Sequence, residues 1–256
     1  MSYIKTDIDE HVLLITLDRP QARNAFNQAM ADEMEAIIDQ YEANPNLRCA
    51  ILSANGPTFS AGQDLIETAK TGRVSSTPRR GGFGIMAQPP TKPLIAAVEN
   101  QALAGGMELT LCCDIVVASE KAIFGLAEAK RSLVAIGGGC FRLPHRIPHN
   151  IAMEMIITAE PRSAAAMHQL GYVNSMVPVG QTLIEARRYA ALVVRNGPMA
   201  VKASKAIASR SATEQWSDAE GWRLQEELVA PVMQSYDLQE GLRAFSEKRA
   251  PIWKGE

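Results

Sequence analysis

The chain has 256 residues, 46% of them hydrophobic and 21% charged, with a formal net charge of −2. This is ordinary globular usage, which excludes a disordered chain and gives no overall attraction to nucleic acid or an anionic membrane. No apolar run approaches the ~20 residues of a membrane span, and the first ten residues lack the apolar stretch of a secretion signal.

Cys49, Cys112, Cys113 and Cys140 form no C-x-x-C pair. They are expected as small core residues in a reducing, cytoplasmic setting.

In chain order, Tyr3–Asp7 and Val12–Leu17 flank the turn Asp9-Glu10-His11, which predicts a hairpin. Asp18-Arg19-Pro20 breaks it, and Asn24 is placed as the N-cap of the next helix. Phe26, Met30, Met34, Ile37, Ile38 and Tyr41 recur at helical spacing. Cys49–Leu52, Leu94–Val98 and Ile115–Ala118 are short apolar runs, the mark of strands buried on both faces. Strand, helix, strand is the unit of a parallel sheet. A helix is predicted from Gly105 to about Cys113, and a short strand at Val173–Val177. Beyond Thr182 the pattern is almost wholly helical, through 184–194, 200–209, 214–233 and 238–248. Residues 70–92 carry a loop signature, Ser75-Ser76-Thr77-Pro78-Arg79-Arg80-Gly81-Gly82, open to two readings: a mobile lid or a surface insertion.

Three segments could carry chemistry. Phe59-Ser60-Ala61-Gly62-Gln63-Asp64-Leu65 follows a strand, and its small residues let a ligand approach the backbone. In Asn100-Gln101-Ala102-Leu103-Ala104-Gly105-Gly106-Met107-Glu108-Leu109, the Gly-Gly pair opens a helix and offers free N–H groups to an anion or a developing oxyanion. Glu108 lies among Met107, Leu109, Leu111, Cys112 and Cys113. Either it occupies one exposed stripe, or it is a buried carboxyl whose raised pKa suits acid–base work. Glu128 precedes the glycine run Gly137-Gly138-Gly139, which fits neither a phosphate loop nor a dinucleotide fingerprint and suggests close helix packing. No G-x-S-x-G and no H-E-x-x-H is present.

Together these segments resemble the enoyl-CoA hydratase (crotonase) family. Leu17-Asp18-Arg19-Pro20-Gln21-Ala22-Arg23-Asn24-Ala25-Phe26-Asn27 is similar to its N-terminal signature. Phe59–Leu65 and Ala102–Asp114 are similar to its two oxyanion segments, and Phe245–Arg249 with Pro251 and Trp253-Lys254-Gly255 to its C-terminus.

The resemblance implies an α/β fold, a crotonase-like spiral of β-β-α turns. Residues 1–195 would form the core with the CoA-thioester site, and residues 196–256 a helical region that trimerises. It implies an oxyanion hole from the backbone N–H groups of Ala61 and Gly105, with Glu108 and Glu128 as the catalytic pair. Ala22, Arg23, Ala61, Gly62, Gln63, Asp64 and Gly105 would bind substrate. No metal and no separate cofactor are expected, because CoA enters as the substrate thioester. The expected partners are that thioester and further copies of the chain, as a homotrimer or dimer of trimers.

Retention of both glutamates favours hydration of a 2-enoyl-CoA to a 3-hydroxyacyl-CoA. The alternatives are a dehydratase for a specialised acyl-CoA such as carnitinyl-CoA, an isomerase, or a non-catalytic acyl-CoA binder. Ala104 departs from a glycine common in the second segment, and Ala127 from a proline that commonly precedes the second glutamate.

Overall fold

A computed structural model of the chain describes residues 2–256. The chain opens with β1 (Ile4–Asp9), β2 (Val12–Leu17), α1 (Gln28–Ala43), β3 (Cys49–Ala54), β4 (Thr58–Ser60) and α2 (Leu65–Thr71). A two-stranded ribbon, β5 (Ser76–Thr77) and β6 (Gly81–Gly82), precedes β7 (Leu94–Val98), β8 (Gln101–Leu103) and α3 (Gly105–Leu111). Then come β9 (Ile115–Ser119), β10 (Ile123–Gly125), α4 (Gly139–Arg142), α5 (His149–Thr158), β11 (Arg162–Ser163), α6 (Ala164–Gln169) and β12 (Ser175–Val177). Four helices close the chain: α7 (Thr182–Val194), α8 (Pro198–Glu214), α9 (Asp218–Met233) and α10 (Tyr236–Glu247).

Two sheets organise these elements. The larger has the order β1-β2-β3-β7-β9-β12, and the smaller β11-β10-β8-β4. All pairs are parallel except β1 with β2 and β10 with β11. Each turn of chain therefore lays one strand in the large sheet, a short one in the small sheet, and then a helix: β3-β4-α2, then β7-β8-α3. This is the spiral of β-β-α units expected above.

The apolar runs of β3 and β7 follow from covering both faces. Ala50, Leu52, Leu94, Ala96 and Val98 enter the main core with α1. The alternate residues Cys49, Ile51, Ile95 and Ala97 pack with Ala186 and Ala190 of α7 on the opposite face. The four cysteines are unpaired thiols, and burial pushes Cys49 up to about 12 and Cys112 to about 11.

Several sequence expectations change. The cap of α1 is Asn27, whose side chain accepts from Met30 N at 2.9 Å. Asn24 is instead a buried left-handed residue (φ 52°). Its Nδ2 donates to Asn55 O at 2.9 Å and Thr58 O at 2.7 Å, and its Oδ1 accepts from Arg19 N at 2.8 Å. A local cap pattern could not foresee a role tying this loop to the β3–β4 connection more than thirty residues on.

The helix expected over 214–233 starts four residues later, as α9: Glu214 is the last residue of α8, Gln215 turns left-handed and Ser217 starts α9 with a capping box. The 70–92 stretch is largely anchored. Arg79 and Arg80 pair with Glu35 and Asp39 on α1, and Phe83, Ile85 and Met86 are buried. No helix among the described residues is long and apolar enough to cross a membrane.

Candidate active site

The site lies where the second strand of each unit hands over to its helix. After β4, Gly62 adopts φ 86°, and a Cβ built there would sit 2.7 Å from Gly105 N, so only glycine lets the two segments touch. Asp64 then caps α2, its Oδ1 accepting from Ile66 N at 3.0 Å and Glu67 N at 3.1 Å. Its Oδ2 accepts from Arg19 at 2.7 Å. Burial alone would raise the Asp64 carboxyl, but Arg19 and the two amides hold it below the usual range. Ala22 ends a single 3-10 turn, and Arg23 follows as an exposed left-handed residue.

The backbone of this segment corrects one expectation. The Ala61 N–H donates to Arg23 O at 3.0 Å, so it is already engaged. Phe26 and Gln63 instead form a parallel bridge: Phe26 N donates to Gly62 O at 2.7 Å, and Asp64 N to Phe26 O at 2.9 Å. In such a bridge the flanking residues bond the partner, and the central N–H points the other way. The Gln63 N–H accordingly has no acceptor among the described residues. The Gln63 side chain is turned to Thr68 Oγ1 and Ser75 Oγ, both at 3.0 Å.

Across from it, α3 begins at Gly105, whose N–H is one of the unpaired donors of a helix start. Ala104 precedes it at φ 52°, ψ −129°, a region that suits glycine. That ψ sets the plane of the 104–105 peptide and hence the direction of the Gly105 N–H. Ala104 is pinned there: its N–H donates to Gly125 O at 2.8 Å, and its carbonyl accepts from Met107 N and Glu108 N. The Phe83 ring, stacked on Phe26 at 4.4 Å, covers Gly105; a Cβ on Gly105 would meet it at 2.6 Å.

One turn into α3, Glu108 is only 4% exposed, so the exposed-stripe alternative falls. Its Oε1 accepts from Gly139 N at 2.9 Å. Burial raises its pKa, opposed by the amides of Gly139 and Gly137 and by Arg142. The glycine run thus does more than pack: it binds this carboxylate, and a Cβ at Gly137 would lie 2.2 Å from Met86 Sδ and 2.7 Å from Glu108 Oε2.

Glu128 begins a 3-10 turn, Glu128–Arg131, directly after the third unit's β10. Its Oε2 is buried without a hydrogen-bond partner among the described residues. Burial first, and the nearby Glu108 charge second, push it up to about 7. The fold therefore brings together two carboxyls twenty residues apart in sequence, and the free amides of Gln63 and Gly105 lie on two segments that touch at Gly62. Sequence reasoning missed the Gln63 amide and the hold of the glycine run on Glu108. The run itself was the signal for the second; only bridge register reveals the first.

Known proteins are similar to this chain over nearly its whole length. The family model for "Enoyl-CoA hydratase/isomerase" matches residues 7–256. An enoyl-CoA hydratase of Mycobacterium tuberculosis is 38% identical over 248 residues, covering 94% of this chain and 92% of that one. A carnitinyl-CoA dehydratase of Salmonella typhi is 38% identical over 251 residues, with 95% of each covered. Among solved structures, an enoyl-CoA hydratase from Mycobacterium tuberculosis H37Rv superposes with a TM-score of 0.95 at 41% identity, covering 99% of both chains. Full-length similarity in sequence and in three dimensions leads to one conclusion: the chain belongs to the enoyl-CoA hydratase/isomerase family.

Proposed function

We propose that the chain is an enoyl-CoA hydratase that adds water reversibly across the double bond of a 2-enoyl-CoA. The observation that carries this reading is the carboxyl pair: Glu108 buried and hydrogen-bonded, and Glu128 half-buried with an oxygen that has no protein partner. A buried oxygen without a partner is costly, and a water bound between the carboxyls would satisfy it. The mutual repulsion of the pair favours one proton shared over two sites near neutral pH. One carboxylate then takes a proton from the water as its oxygen bonds to C3, and the other manages the proton that reaches C2.

Electron density moves to the thioester oxygen. The free amides of Gln63 and Gly105 support an oxyanion hole there, worth about 3–4 kcal/mol per donor in comparable sites. Gln63 thus takes the place expected for Ala61, while Ala61, Gly62 and Asp64 hold the loop in shape. Ala22 and Arg23 sit beside this loop, through the Arg23 carbonyl that accepts from Ala61, where the CoA portion would enter.

The C-terminal helices carry exposed apolar side chains, Trp222, Met233, Leu242 and Phe245. They support self-association of the 196–256 region as a trimer or dimer of trimers, which light scattering on the purified chain tests. The carnitinyl-CoA dehydratases among the relatives favour one second reading: the same two carboxyls eliminating water from a specialised 3-hydroxyacyl-CoA.

Loss of the enoyl-thioester absorbance with crotonyl-CoA tests the first reading. The parent is expected to turn over, with Glu108→Gln and Glu128→Gln each slowed about 10²–10⁴-fold. A parent silent on short and long 2-enoyl-CoAs but active on carnitinyl-CoA would select the second.

A further inference from the structure

We propose that Arg142 is a positioning residue for Glu108, its guanidinium locking together the three segments that form the Glu108 pocket. The proposal rests on the two-glutamate reading above and extends it. Arg142 ends α4, immediately after the glycine run, and is half-buried. Its two terminal nitrogens reach different segments. Nη2 donates to Met86 O at 2.7 Å, and the Met86 thioether lies against Gly137, as the Glu108 carboxyl does. Nη1 lies 3.4 Å from Gly137 O, within the glycine run. The same Nη1 lies 3.4 Å from Cys112 Sγ, and that thiol in turn points to Glu108 O at 3.3 Å on α3. Gly139, three residues before Arg142, supplies the amide that holds Glu108 Oε1.

Only the bond to Met86 O is short, and the two contacts of Nη1 are long. Their value is geometric: a planar guanidinium donates in two directions from a fixed fork, which a flexible ammonium cannot do. If the glycine run slid away from α3, Gly139 would leave Glu108, and Met86 would no longer close the pocket. The groups facing Glu108 are Glu128 from its 3-10 turn, Cys112 on its own helix, Cys140 and Arg142 on α4, and the amides of Gly137 and Gly139. Arg142 is the one cation among them, and it favours the ionised form of Glu108.

The neighbouring Arg146 provides an internal control. It donates to Cys113 O at 2.6 Å, also at the end of α3, but touches nothing that holds Glu108.

Arg142→Gln, Arg142→Lys and Arg146→Gln should be compared with the parent by crotonyl-CoA hydration and thermal melting. The carboxyl infrared band should also be titrated in the resting protein, in a Glu128→Gln background that removes the other pocket carboxyl. Arg142→Gln is expected to lower kcat about 10- to 100-fold, as misplacement of a reacting group does, with KM changed less than about threefold, and to move the Glu108 titration to higher pH. Arg142→Lys should keep the titration in place while kcat stays low, and Arg146→Gln should match the parent in both.

Equal losses in Arg142→Gln and Arg146→Gln with an unmoved titration would overturn the proposal, as would a change confined to KM. If Arg142→Gln does not fold, Arg142→Lys decides: low kcat at parental KM supports the role, and parental kcat refutes it. A parent inactive on every enoyl-CoA sinks the hydratase reading, while the resting titration still decides whether Arg142 holds Glu108.

Discussion

Glu128→Gln should inactivate the protein and, at alkaline pH, stabilise it. The Glu128 carboxyl is raised from 4.5 to about 7, chiefly by burial and then by Glu108. In the unfolded chain it ionises near its ordinary value, so between about pH 4.5 and 7 the folded state holds a proton that the unfolded state has released. Folding stability therefore falls as pH rises through that window, and the loss is complete above it. Taken at full value the shift corresponds to ~3 kcal/mol; partial exposure of the side chain reduces this to about 1–2 kcal/mol.

Glutamine removes the ionisation and hence the pH-dependent loss. It also buries an amide in place of the carboxyl, but that cost is independent of pH. The quantity to measure is the Tm difference between variant and parent at pH 8.5, minus the same difference at pH 4.5. For a chain of this size the expected value is about +2 to +8 °C. A difference of zero, or one of opposite sign, would mean that Glu128 is not held in its protonated form by the fold, and the shared-proton description of the pair would fall with it.

Three further outcomes are expected. Glu108→Gln should lower the titration of Glu128 from about 7 part of the way towards 4.5, because the Coulombic contribution disappears while burial remains; a ¹³C-carboxyl NMR titration measures it. Ala104→Gly relieves a positive-φ strain of about 1–3 kcal/mol at a glycine entropy cost of roughly 0.5–1 kcal/mol. Denaturant unfolding should therefore show an unchanged or higher stability, while kcat falls because the Gly105 N–H is aimed less firmly. Asn24→Ala leaves Asn55 O, Thr58 O and the Arg19 amide without their partner, at ~1–3 kcal/mol for each group that water cannot reach. A total loss of about 3 kcal/mol or more is expected by the same unfolding measurement.

Much of this protein is written locally. Helical spacing located α1, because it dictates which side chains share a face, and uninterrupted apolar runs located β3, β7 and β9, because a strand covered on both faces has no polar side. The Gly105-Gly106 pair at the head of a helix marked one anion-facing amide, since helix starts leave N–H groups unpaired whatever surrounds them. Resemblance in the order of segments identified the family and the glutamate pair. What the sequence could not specify was every feature that depends on a partner distant in the chain. Ala61 and Gln63 lie two residues apart in one small-residue segment, and the register of the Phe26 bridge alone decides which amide is free. Local pattern places Asn24 as the cap of α1; burial against Arg19, Asn55 and Thr58 takes it out of that role, and Asn27 caps the helix. The 70–92 stretch has loop composition throughout, yet carboxylates on α1 bind its arginines and the core takes its apolar residues. The Glu108 charge reaches Glu128 only because successive β-β-α turns bring the start of α3 and the turn after β10 together. Side-chain periodicity is a property of a single segment, whereas the direction of a backbone amide and the field at a carboxylate are set by whatever segment packs against it.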